Sequence, residues 1–152
     1  MRRKMIWAIL TGLTTLLVLG FVKKGTQLSA AEPWTDSQLL APADLAEKLA
    51  HQGENKPLVY CVGPGALILG SIDMGPAHEK ENLEKLKKAL QKIPLNTEVV
   101  IYCGCCPFEK CPNIRPAFSL LMEMKFTNAK LLNIEHNIHT DWVAKGYPSV
   151  EK

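Results

Sequence analysis

An α/β domain, with a mostly parallel central sheet and helices on both faces, is what three features of the sequence predict. Strand-like and helix-like segments alternate along the chain, the pattern of βαβ units. The runs Leu58-Val59-Tyr60-Cys61-Val62 and Val99-Val100-Ile101-Tyr102 are continuously apolar rather than alternating, as in strands covered on both sides. The second run ends at Cys103, in a loop rich in Cys, Gly and Pro, after which an apolar helical segment begins. Parallel sheets hold their ligands off the carboxyl ends of their strands, so chemistry is expected at this loop.

The elements follow in order. Residues 38–40 (Gln-Leu-Leu) read as a short first strand. Pro42 opens a helix over 43–51, in which Leu45 and Leu49 share a face at i, i+4 and which Gly53 stops. Asn55-Lys56-Pro57 turns the chain into the strand at 58–62, and Gly63-Pro64-Gly65 breaks that strand. An apolar connector at 66–69 leads to a short strand at 71–74, ahead of Gly75-Pro76. A long amphipathic helix is predicted over 79–93, because Leu83, Leu86, Leu90 and Ile93 recur at spacings of three, four and three. Its Glu81–Lys85 and Glu84–Lys88 are i, i+4 pairs in the favourable order, and its charges form a solvated face. Pro94 ends it. The strand at 98–102 feeds the Cys-rich loop and the helix at 116–125 leaves it. Residues 130–134 are a further buried strand. Residues 140–145 close the domain as a short helix with Trp142 and Val143 inward and Gly146 as its C-terminal cap.

One domain is what 152 residues allow, and 47% apolar with 22% charged residues is ordinary for a globular chain. The formal net charge of +3 is concentrated at one end: residues 1–31 hold Arg2, Arg3, Lys4, Lys23 and Lys24 and no acid. Removing those five leaves 13 basic against 15 acidic side chains, a net of −2, which gives no ground for a nucleic-acid partner. Residues 1–31 have the form of an export signal: the basic Arg2-Arg3-Lys4, an uncharged apolar run from 5 to 22, and Ser29-Ala30-Ala31 before a cut at Glu32. An uncleaved membrane anchor with the domain outside is the alternative, since the apolar run approaches the length of a span. Either reading makes the protein exported, periplasmic or membrane-anchored, with the membrane touched only through this segment, and places its thiols in an oxidising compartment. Residues 32–37 are then a lead-in and 38–152 the domain.

Four of the five cysteines, Cys103, Cys105, Cys106 and Cys111, fall within nine residues. Core packing would scatter them, so the stretch reads as a site. A strand, a thiol-bearing loop and a helix start aim backbone N–H groups and the positive end of a helix dipole at one small volume. A thiol held there is pushed towards thiolate, the form that attacks or carries sulfur. Cys103 is the candidate nucleophile and Arg115 its candidate cationic partner. Gly104, Cys105, Cys106, Lys110, Cys111 and Asn113 are the candidate loop residues. Cys61, in a buried strand, reads as packing, and His51 and His78 read as incidental. His136 and His139, near a strand end, read as surface residues. Phe108 either covers the pocket or anchors the loop.

Residues 38–148 resemble a rhodanese-like domain. Val99-Val100-Ile101-Tyr102-Cys103 is similar to the family's strand and active Cys, and Arg115 to the basic residue that ends its loop. Ile68 to Pro76 resembles the family's segment around its Gly-Ala-x-Asn-Ile-Pro turn, and Asp141 to Pro148 its terminal Trp helix ending in Gly-x-Pro. The loop is longer than the family's usual one, with eleven residues at 104–114, and Cys61-Val62-Gly63 stands where the family has Asp-Val-Arg. The resemblance implies a sulfurtransferase that carries sulfane sulfur as a Cys103 persulfide. Its partners would be a small sulfur-containing substrate and a thiol acceptor, and no cofactor is implied. In that chemistry the loop amides and the start of the helix stabilise the anion, and Arg115 either neutralises an anionic donor or stays structural.

Two other chemistries stay open. Cys103-Gly104-Cys105-Cys106 is a C-x-x-C, as in thiol–disulfide exchange, and pairs among Cys105, Cys106 and Cys111 would serve either redox work or a loop staple. A catalytically inactive binding module on the same fold belongs with this alternative. Cys-x-Cys-Cys-x4-Cys also offers soft ligands suited to Cu(I) or Zn. Adjacent Cys105 and Cys106 seldom share one tetrahedral site and the loop has no His, so no metal is expected.

Overall fold

In the computed structural model, which describes residues 32–51 and 56–150, the strands are β1 (Leu39–Leu40), β2 (Leu58–Cys61), β3 (Ile72–Asp73), β4 (Val99–Tyr102) and β5 (Ala129–Leu132). They form one sheet in the order β1-β5-β4-β2-β3, with every neighbouring pair parallel. The helices are α1 (Pro42–Ala50), α2 (Lys80–Leu90), α3 (Ile114–Glu123) and α4 (Ile138–Asp141). The α/β architecture is therefore the expected one. The export segment expected at 1–31 and the helix-stopping Gly53 lie outside the described residues. Among the described residues no helix is long and apolar enough to cross a membrane.

Period-2 alternation along β4 sorts the core into two layers. Val99, Ile101 and Cys103 face one side, with Leu86 and Leu90 of α2 and Ile114, Ala117, Phe118 and Leu121 of α3. Val100 and Tyr102 face the other, with Leu45 and Ala46 of α1, Ile138 of α4 and Trp142. β4 sits between β2 and β5, and all four of its residues are buried. Its apolar run is continuous because no side of it meets water.

Element ends depart from expectation where local chemistry overrides pattern. α1 starts one residue early, at Pro42, whose fixed φ suits the first helical position and which has no N–H to leave unpaired. α3 starts at Ile114, with Asn113 as its N-cap residue. Arg115 and Pro116 thus fall inside its first turn, where a missing N–H costs nothing. The expected Glu81–Lys85 pair gives way to a different contact: the Lys85 ammonium donates to the Asp73 carbonyl at 2.9 Å, tying α2 to edge strand β3. The closing helix divides into α4 and a 3-10 turn at Val143–Lys145, capped by Gly146 at φ 72°. Trp142 is fully buried and donates its indole N–H to the Pro148 carbonyl at 2.9 Å.

Candidate active site

Alternation past the end of β4 turns Cys103 towards α3 and Tyr102 away from it. The Tyr102 hydroxyl accepts from the Leu67 and Ile68 amides at 3.1 and 3.3 Å and meets Ser71 Oγ at 3.0 Å. This pins the connector that follows β2 beside the site. Gly63, just past the end of β2, lies directly against the thiol: a Cβ there would stand 2.5 Å from Cys103 Sγ. Gly104 is equally constrained, since a Cβ there would meet Ile138 at 2.8 Å. Both glycines are small because backbone must approach closely, and neither has a positive φ.

The loop from Gly104 to Asn113 is stitched to its surroundings. Ile138 N–H donates to the Gly104 carbonyl at 3.0 Å, and Phe108 N–H donates to the Ile134 carbonyl at 2.9 Å. A 3-10 turn at Phe108–Lys110 leads into Cys111. Phe108 anchors the loop, packing against Trp34 with ring centroids 6.3 Å apart, and Trp34 in turn meets Phe118 of α3 edge-on at 5.7 Å. Glu109 and Lys110 are exposed at the tip.

The four loop cysteines converge. Cys103 and Cys111 are buried, Cys106 is half-buried and Cys105 is exposed, and all are free thiols. Cys103 Sγ lies 3.4 Å from Cys105 Sγ, and Cys105 Sγ lies 3.3 Å from Cys106 Sγ. Every sulfur of the four is within 4.8 Å of every other. Adjacency was expected to keep Cys105 and Cys106 from sharing one site; the backbone bends at Cys105–Cys106, and both sulfurs come within 4.8 Å of Cys103 and Cys111.

The amide ring expected around Cys103 takes a different form. One backbone amide, that of Cys105, and one carboxamide, that of Asn113 at 3.5 Å, donate to its sulfur, and the Cys111 and Cys105 thiols complete the shell. The mouth of α3 instead serves Cys111, whose sulfur receives the Asn113 and Ile114 amides. The physical reason is loop length: the ten residues from Gly104 to Asn113 bring the first turn of α3 to Cys111 rather than to Cys103. The Cys103 thiol is pulled down to about 5, chiefly by the hydrogen bond from Cys111. The Cys105 amide, the Asn113 carboxamide and the Cys105 thiol add to this and together outweigh burial. Cys111, the donor to that thiolate, is pushed up for the same reason and by burial. Cys105 is pushed up to about 12, first by burial and then by its hydrogen bonds to Cys106 and Cys103. One negative charge thus sits on Cys103 and is shared by its neighbours.

Asn113, 2% exposed, organises this shell. Its Oδ1 accepts from the His78 backbone N–H at 3.1 Å and from His78 Nδ1–H at 2.7 Å, which leaves its NH2 to point at Cys103. His78, expected to be incidental, instead fixes Asn113, a role that a lone His between a Pro turn and a helix does not signal by spacing. Gly63, expected only to break β2, also makes room for the Cys103 sulfur. Arg115 takes the structural alternative. Its guanidinium donates to the Cys111 carbonyl at 3.2 Å and the Glu109 carbonyl at 2.9 Å, pairs with Glu32 at 2.6 Å, and lies 5.6 Å over the Trp34 ring. It holds the back of the loop. His136 bonds Asp141 through its backbone N–H and Nδ1, at 2.7 and 3.0 Å. Cys61 packs on the opposite layer with Tyr102, as expected.

A cleft of about 450 Å³ opens beside the cluster, lined in part by Pro64, Gly65, Gly104, Cys105, Asn137 and His139. It reaches Cys105 directly. Cys103, 3% exposed, lies one layer below.

No family model matches the chain, and no curated protein matches it. Among solved structures, it is similar to the crystal structure of a single-domain sulfurtransferase of Saccharomyces cerevisiae. The identity is 18% and the TM-score 0.48, over 78% of this chain and 94% of that one. At that similarity the likeness bears on neither reaction nor site.

Proposed function

We propose that the protein carries sulfane sulfur as a persulfide on Cys103. The observation behind this reading is the shell of donors on one sulfur at the end of the central strand, which keeps it a thiolate at neutral pH. The thiolate attacks the outer sulfur of a donor X–S⁻, forming a Cys103 S–S bond while the S–X bond breaks and its electron pair leaves with X. For thiosulfate, X leaves as sulfite. A thiolate acceptor then attacks the outer sulfur of the persulfide, taking it and returning Cys103 as thiolate. Donor and acceptor approach through the cleft that Cys105 lines. The Cys105 and Asn113 donors that hold the thiolate also hold the persulfide anion. Purified protein given thiosulfate and a thiol acceptor turns over and releases sulfite, and Cys103→Ala abolishes this. Wild-type protein that neither releases sulfite from thiosulfate nor passes the central sulfur of an organic trisulfide to a thiol acceptor overturns the reading.

A second reading rests on the 3.4 Å contact between Cys103 and Cys105: thiol–disulfide exchange, with Cys105 as the resolving thiol. A two-proton mass loss on oxidation, without sulfur uptake, distinguishes it. We further propose export through residues 1–31. Mature protein beginning at Glu32 supports cleavage, full-length protein in the membrane fraction supports the anchor, and a cytosolic full-length chain contradicts both.

A further inference from the structure

Sulfur transfer through Cys103 needs one sulfur, and a staple or a resolving step needs two. The fold brings four together. We propose that Cys103, Cys105, Cys106 and Cys111 form a binding site for a single soft d10 metal ion, Zn(II) or Cu(I). Their sulfurs all lie within 4.8 Å of one another, with two of the separations at 3.4 and 3.3 Å. Four thiolates around an ion at a metal–sulfur distance of about 2.3 Å stand about 3.8 Å apart along the edges of a tetrahedron. The cluster is thus near ligating geometry before any ion arrives. It is anchored at both ends, by β4 through Cys103 and by the first turn of α3 through Cys111.

The surroundings fit a thiolate-bound ion. N–H groups of Cys105 and Asn113 point at the Cys103 sulfur, and those of Asn113 and Ile114 at the Cys111 sulfur. Such outer donors orient ligating sulfur and spread its charge. The cluster offers sulfur alone, without carboxylate or imidazole, which selects soft ions over hard ones. Buried Cys103 and Cys111 form its floor, and exposed Cys105 with half-buried Cys106 forms a rim open to solvent, so an ion has a route in. Each thiol that becomes a ligand gives its proton to solvent, and no electron is transferred. A bound ion uses the lone pair with which Cys103 would attack a sulfur donor, so metal and persulfide exclude each other at this loop. The site nonetheless stands independently of the sulfur chemistry.

The test uses the full chain, reduced, metal-free and anaerobic, titrated separately with Zn(II) and with Cu(I) against a chromophoric chelator. One ion per chain is expected, for at least one of the two metals, and the two arms identify which. Cys105→Ser and Cys106→Ser, at the solvent side where folding is least affected, each weaken binding by at least about 100-fold, beyond what loss of an outer partner causes. Cys61→Ala, in the opposite core layer, leaves it unchanged. Failure of both ions to compete with the chelator overturns the site, as does undiminished binding in Cys105→Ser and Cys106→Ser. Sulfur loading is scored on metal-free protein alone, so its failure and the failure of metal binding are read apart.

Discussion

At the scale of single residues the account turns on where one negative charge sits. Cys103 is lowered to about 5 from an ordinary thiol value of 9.0, while Cys105 is raised to about 12. Alkylation of metal-free protein at pH 6 therefore modifies Cys103 first, with a rate that is half-maximal near pH 5. Peptide mapping checks the site, and a midpoint near the ordinary thiol value contradicts it. Linkage gives the sign for stability. A thiol lowered on folding contributes stability that is complete above its unfolded value and lost as pH falls through its folded one. The contribution of Cys103 thus fades between pH 9 and pH 5, so the stability difference between wild type and Cys103→Ala shrinks across that window in denaturant titrations. Cys105 and Cys111 have the opposite sign: raised on folding, they favour the native state below their unfolded value and oppose it as pH climbs beyond. The candidates Cys103, Cys105, Cys106 and Cys111 were legible in the sequence because clustered thiols are rare by chance. His78 was not, since its role comes from a contact with Asn113 across 35 residues.

At the scale of elements, the joint between the β2 end and the β4 end decides whether the thiol has room. Gly63→Ala forces a methyl to 2.5 Å from the Cys103 sulfur, and the sulfur is the end that moves. The expected cost is about 1–3 kcal/mol of stability in denaturant unfolding, together with loss of sulfur loading. Retention of full loading would show that the thiol sits elsewhere. The loop and α3 are held from behind by Arg115, Trp34 and Glu32, and that placement favours the structural one of the two roles expected of Arg115. Arg115→Ala should cost about 0.5–1 kcal/mol and slow loading from anionic thiosulfate and from a neutral trisulfide to the same degree. Selective loss with thiosulfate, measured as kcat/KM for the two donors, would return Arg115 to the site. Strand and helix cores were legible because burial writes period and composition into sequence. The start of α3 was missed by two residues because Pro116 tolerates any position in the first turn.

At the scale of the whole molecule, the order β1-β5-β4-β2-β3 puts β4 in the middle, so the strand that leads into Cys103 is paired on both sides and buried along its whole length. A mostly parallel sheet was readable from the alternation of strands and helices and from the continuous apolar runs of strands covered on both faces, and the structure makes every pair parallel. What spacing could not convey was the path of the ten-residue loop from Gly104 to Asn113, and with it which thiol meets the helix mouth and whether neighbouring cysteines converge. Those depend on tertiary contacts such as Ile138 with Gly104 and Phe108 with Trp34, which sequence distance hides. The most direct test of the central claim is the intact mass of reduced, metal-free protein after thiosulfate treatment and desalting. A gain of one sulfur atom, removed by a thiol acceptor and absent in Cys103→Ala, is the predicted result. An unchanged mass, or a gain that persists in Cys103→Ala, would contradict it.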